Sequence, residues 1–225
     1  MKLEVPHRPV HIALALLLAF LCYQAHQLVR HLAGAILCGG FGSMTFTVTT
    51  TRQPCSLPTI VTFSGPVLTY GLAWLGMFLL RSQRYALFAY ALIFASFAHL
   101  RALQTLTGRG DELVLAQIWF GVASRTIVAT IVFLIGLPPV VAAFHAIANK
   151  QRVLVFVCSW ALPLPLLFVL LLGNQFLFER GRNGIQNISF LGISLLVLIT
   201  NLIAGAIFIL LTTWGLGARE EKLQA

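Results

Sequence analysis

The chain has 225 residues, of which 59% are hydrophobic and only 9% charged, with a mean hydropathy of +0.91. Soluble domains carry about a quarter charged residues, so this composition excludes a soluble fold and points to a polytopic membrane protein. The formal net charge of +9 comes from lysines and arginines scattered in short segments between apolar runs, without a basic stripe of interleaved aromatics; it fits anionic headgroups and the positive-inside rule and excludes nucleic acid as a partner.

Lys2 and Arg8 precede the first apolar run, as in a signal peptide. Leu21 is too large to precede a lipidated Cys22, however, and the run continues past any cleavage point, so the reading is an uncleaved first span over residues 10–38. At 1.5 Å per residue such a helix measures about 45 Å, against a hydrocarbon core of about 30 Å. It must tilt, protrude or break. Within it stands a polar cluster, Tyr23-Gln24-Ala25-His26-Gln27-Leu28-Val29-Arg30-His31. An ionisable side chain at such a place costs roughly 2.5 to 3.5 kcal/mol, so His26, Arg30 and His31 need partners, water or a function. Residues four apart lie about 40° from each other around a helix, so His26 and Arg30 share one face and Gln27 and His31 another. His26 and His31, about 140° apart, cannot both bind one ion from a regular helix.

The connection from Gly39 to Ser64 holds two β-prone runs, Met44-Thr45-Phe46-Thr47-Val48-Thr49-Thr50-Thr51 and Ile60-Val61-Thr62-Phe63, with a turn-like Arg52–Pro58 segment between them. A small β-hairpin at the membrane surface is expected, since open strand edges cannot face lipid. Cys38 and Cys55 bracket this connection. They form a disulfide if it faces an oxidising compartment, and two free thiols are the plainer reading. None of the four cysteines makes a CxxC pair, which argues against a metal–thiolate site.

Further apolar runs predict spans near 63–80, 85–106, 124–147, 153–173 and 188–214, six in all. Gly65-Pro66 reads as a helix start, while Pro138-Pro139, Pro163 and Pro165 imply kinks. His99 reads as a packed polar residue, and Arg101 and Arg125 as side chains near helix ends that snorkel. With the N-terminus in the cytoplasm, the inner segments hold eight cationic residues and the outer ones six, a bias toward both termini inside.

One resemblance adds to this. The segment His26-Gln27-Leu28-Val29-Arg30, then His31-Leu32-Ala33-Gly34-Ala35, Gly39-Gly40-Phe41-Gly42-Ser43-Met44-Thr45-Phe46, and Phe63-Ser64-Gly65-Pro66 before an apolar helix resemble the site-2-type intramembrane zinc metalloproteases. In HExxH the two histidines grip zinc and the glutamate activates its water. The resemblance places Asp111, in Leu106-Thr107-Gly108-Arg109-Gly110-Asp111-Glu112, as third ligand. Gln27 stands where the general base belongs, and an amide cannot take that proton. Arg30 stands at the second histidine position, with no lone pair to donate. A surviving metal site would have to be His26, His31 and Asp111, with zinc as cofactor, and His31 reaches it only by distorting the helix. Otherwise no cofactor is expected. Two plainer roles stand beside this one: a bundle-interior histidine for His26, and an ion pair with Asp111 or Glu112 for Arg30.

The expected fold is an all-α integral membrane bundle of about six transmembrane helices with a small β-like excursion after the first span. It forms one transmembrane domain over 1–225, with a protease-like core at about 10–115 and additional helices at about 124–214. The expected location is a bacterial inner membrane with both termini cytoplasmic. The expected role is a proteolytically inactive pseudoprotease that binds or regulates another membrane protein or membrane-embedded peptide within the lipid bilayer. Two other readings stay open: an active metalloprotease with an altered zinc site, and a small transporter or channel subunit using Arg30, His99 and Asp111 along a polar path.

Overall fold

The computed structural model describes residues 2–6, 8–108, 110–121, 124–174 and 188–224; Arg109, Arg180 and Arg182, which enter the charge comparison, lie outside them. Among the described residues are six apolar stretches long enough to cross a bilayer, so the chain is a multi-pass helical membrane protein. The helices are α1 (Pro9–Leu37), α2 (Pro58–Leu79), α3 (Ala86–Ala95), α4 (Ala98–Leu106), α5 (Asp111–Phe120), α6 (Arg125–Ala146), α7 (Arg152–Ala161), α8 (Pro163–Asn174) and α9 (Leu195–Gln224). Two short strands, β1 (Ser189–Phe190) and β2 (Ile193–Ser194), precede α9. The third span, α3 with α4, is the central one: 67% of it is buried, against 11% of the last. Exposed Phe133, Leu134, Phe168, Leu202 and Ile209 give the outer helices the lipid-facing surface that their composition demands.

The second span begins earlier than the sequence suggests. Pro58 takes the first helical turn, where its missing N–H costs nothing, and Gly65-Pro66 lies inside α2 rather than opening it. The β-prone run Ile60–Phe63 is therefore helical: β-propensity yields to the spanning requirement, which only an internally hydrogen-bonded helix satisfies. Gly65 has a different task. A Cβ there would sit 2.6 Å from His26 Cε1 and Nε2 and 2.9 Å from Arg30 Cδ, so glycine is what lets α2 close on the polar face of α1.

The third span breaks at Phe97, whose φ of 61° is left-handed. Ser96 Oγ donates to Ile93 O at 2.8 Å and accepts from Ala98 N–H at 3.4 Å, so the interruption does not strand its polar groups. α4 leaves the break along α6, carrying Arg101 into the bundle. Pro163 separates α7 from α8 as expected, whereas Pro138-Pro139 stays within a continuous α6. The carbonyl of Ile135, which loses its helical donor at Pro139, accepts instead from Trp74 Nε1 at 3.2 Å.

The bundle has two distinct ends. At one, Leu3 forms a parallel bridge with Ile147, and Asn149 holds both backbone groups of Val5. At the other, Ser43–Thr50 folds into a tight hairpin with Met44 opposite Thr49, and Met44 pairs on its far side with Ile193. The excursion after the first span thus continues into the β1–β2 pair, a long-range partnership that local sequence does not reveal. Cys38 and Cys55 are disulfide-bonded here, which corrects the free-thiol reading.

Candidate functional site

The polar cluster of α1 divides by helical face. His26 and Arg30, one turn apart, meet α2 and α5; Gln24, Gln27 and His31 meet the β-segments. On the first face, Arg30 Nη1 lies 3.0 Å from Asp111 Oδ1, and His26 Nε2 lies 3.4 Å from Asp111 Oδ2. His26 Nδ1 is 2.8 Å from Thr69 Oγ1. A carboxylate only accepts, so Nε2 carries a proton; in the neutral ring Nδ1 then accepts from the Thr69 hydroxyl.

Arg101 completes the site from α4. Its Nε donates to Glu112 Oε1 at 2.7 Å, its Nη2 to Asp111 Oδ2 at 3.1 Å and its Nη1 to Gln104 Oε1 at 3.2 Å. Tyr70 OH donates to Glu112 Oε1 at 3.0 Å. Arg101 is buried, contrary to the snorkelling expectation. A signal was present: an arginine in a span lies ten and eleven residues before the adjacent pair Asp111-Glu112, in a chain with only six acidic residues. Two guanidiniums and two carboxylates balance, so the bundle encloses a polar site without enclosing net charge. Burial alone would push the Asp111 carboxyl up. The His26 hydrogen bond and the charges of Arg30 and Arg101 outweigh it and hold that pKa down to about 2.

The second face carries no guanidinium or carboxylate. Gln24 Nε2 donates to Phe46 O at 3.1 Å, Gln27 Nε2 to Thr47 O at 3.4 Å, and Thr49 Oγ1 to Gln27 Oε1 at 2.8 Å. His31 Nε2 lies 2.8 Å from Leu191 O, with its ring 5.5 Å from that of Phe41. Of the candidate ligands, then, His26 and Asp111 come together, and His31 is turned to the β1–β2 turn. His99 is also apart: its Nε2 lies 3.1 Å from Trp160 O, beside the rings of Phe94 and Trp160.

The three candidate zinc ligands do not converge in this geometry. A permanent cation, Arg30, already occupies Asp111, both nitrogens of His26 are engaged, and Gln27 and His31 point to the β-segments. The arrangement can hold groups in place and neutralise them. Next to it, a cavity of about 380 Å³ is lined by Arg30, Thr49, Thr50, Thr51, Gln53, Pro58, Val61 and Thr62. In comparisons with protein families, curated proteins and solved structures, nothing matches the chain.

Proposed function

We propose that the protein is a non-catalytic relative of the site-2-type metalloproteases, a pseudoprotease that holds an extended segment of another membrane protein instead of cleaving it. One observation carries this reading: the guanidinium of Arg30, at the position of the second histidine, lies 3.0 Å from Asp111 and provides the positive charge a metal would otherwise bring to the His26–Asp111 pair. The scaffold stays assembled while the hydrolytic chemistry is gone. The outer strand of the Ser43–Thr50 hairpin supplies a place for the segment, because Met44 and Ser43 pair with one side of Thr49 and Thr50 and the cavity lies beside them. The Cys38–Cys55 disulfide and the charge bias support a membrane orientation with the hairpin on the oxidising side and both termini cytoplasmic, as in a bacterial inner membrane.

A photo-cross-linking amino acid at Val48, which is exposed on the hairpin, tests the reading in native membranes. Adducts with a full-length membrane protein are expected, at equal yield from the wild-type background and from Gln27→Glu. Cleaved products that disappear in His26→Ala would overturn it.

A further inference from the structure

The cavity beside the charge network has a chemical character of its own. Arg30 is the single ionic group in its lining, joined by the side chains of Thr49, Thr50, Thr51, Thr62 and Gln53. The lining contains no carboxylate. Asp111 engages Nη1 of Arg30 only; Nε is enclosed without a partner, and Nη2 makes no hydrogen bond among the described residues. Guanidinium groups bind carboxylates through charge-assisted N–H donors, and Nη2 is one that Asp111 leaves unused.

Charge on the same end of the bundle points the same way. The described acidic residues there, Asp111 and Glu112, are both consumed in the network with Arg30 and Arg101. Arg52, between cavity residues Thr51 and Gln53, and Arg125, near Gly108, have no acidic partner among the described residues. A partner meeting this end encounters cations and hydroxyls.

We infer that the cavity is a recognition site for a carboxylate, presented by an extended peptide laid along Thr49–Thr51, with Arg30 as its charged donor and the Thr51 hydroxyl beside it. The inference rests on the peptide-holding reading and adds a specificity to it: the held segment ends in a free carboxylate or carries an acidic side chain at the position over Arg30. Two roles then fall to one guanidinium, Nη1 holding Asp111 and Nη2 serving the ligand.

The test uses the full chain in lipid nanodiscs and three probes: acetyl-Val-Thr-Val-Thr-Val with a free C-terminal carboxylate, the same peptide as its amide, and decanoate. The acid peptide is expected to bind at least tenfold more tightly than the amide. Arg30→Gln should remove that preference, and because this variant also releases Asp111 from its ion pair, Gln53→Glu provides the second reading. Gln53 is an exposed loop residue outside the ion-pair network, and a glutamate there places a competing carboxylate in the cavity. Loss of the tenfold preference in Gln53→Glu, with the thermal midpoint unchanged, supports the site. Equal binding of acid and amide overturns the carboxylate inference and leaves peptide holding intact. Binding of decanoate alone, lost in Gln53→Glu, keeps a carboxylate site and overturns the peptide as its source. Binding of no probe overturns both.

Discussion

The two faces of α1 solve the same problem differently. At the same depth in one helix, His26 and Arg30 are satisfied by opposite charges, whereas Gln24, Gln27 and His31 are satisfied by neutral hydrogen bonds to hairpin and turn. The charged face binds helix to helix, joining α1 to α5 through Asp111 and α5 to α4 through Arg101. The amide face binds helix to β-segment. Their sensitivities should differ accordingly. Removing one member of a buried charge set strands the others in a low dielectric, while removing a neutral partner costs one hydrogen bond and the desolvation of what it leaves.

The largest effect is expected at Asp111, the carboxylate shared by Arg30, Arg101 and His26. Asp111→Ala should lower stability by about 3 to 5 kcal/mol, seen as a fall in the unfolding midpoint in detergent. Adding Arg30→Gln to that variant should recover part of the loss, because one stranded cation is removed. Full additivity of the two changes would contradict a shared network. Next comes Gly65→Val, whose side chain must displace His26 and Arg30 from the α1–α2 contact. Overpacking of this kind costs about 1 to 3 kcal/mol. An unchanged midpoint would show that the close approach is absent in the membrane.

Gln27→Ala tests the other face. The expected loss is about 1 kcal/mol, with faster amide hydrogen exchange confined to the Ser43–Thr50 hairpin. A loss as large as that of Asp111→Ala would erase the distinction between the faces. The smallest effect in the physiological range is that of pH. The Asp111 carboxyl is held at about 2, below its ordinary value of 3.8, so its contribution to stability is fully present above pH 3.8 and is lost as pH falls through about 2. The stability difference between wild type and Asp111→Asn should therefore be flat from pH 8 down to about pH 4 and shrink below it. A decline beginning near neutrality would mean that the carboxylate is not charge-paired.

Much of the architecture was legible because the bilayer imposes a simple rule. All six predicted spans correspond to observed ones, and of the two partners expected for Arg30, Asp111 or Glu112, it is Asp111 that pairs with it. The errors arose where tertiary context overrides local preference. Pro66 reads as a helix start until Pro58 is seen to occupy that role, and Ile60–Phe63 reads as a strand until it is required to span. Nothing local to Met44 foretells that Ile193 lies beside it, and nothing local to His31 foretells Leu191 as its partner. Arg101 was missed because position near a helix end suggested solvent, whereas the break at Phe97 turns α4 inward.

The comparison of faces rests on Arg30 serving as the cation of the His26–Asp111 site. The most direct measurement is the zinc content of the purified full chain, by elemental analysis after incubation with zinc and removal of the excess. Far less than one zinc per chain is expected from the wild type, unchanged in His26→Ala. One zinc per wild-type chain, lost in His26→Ala, would contradict it.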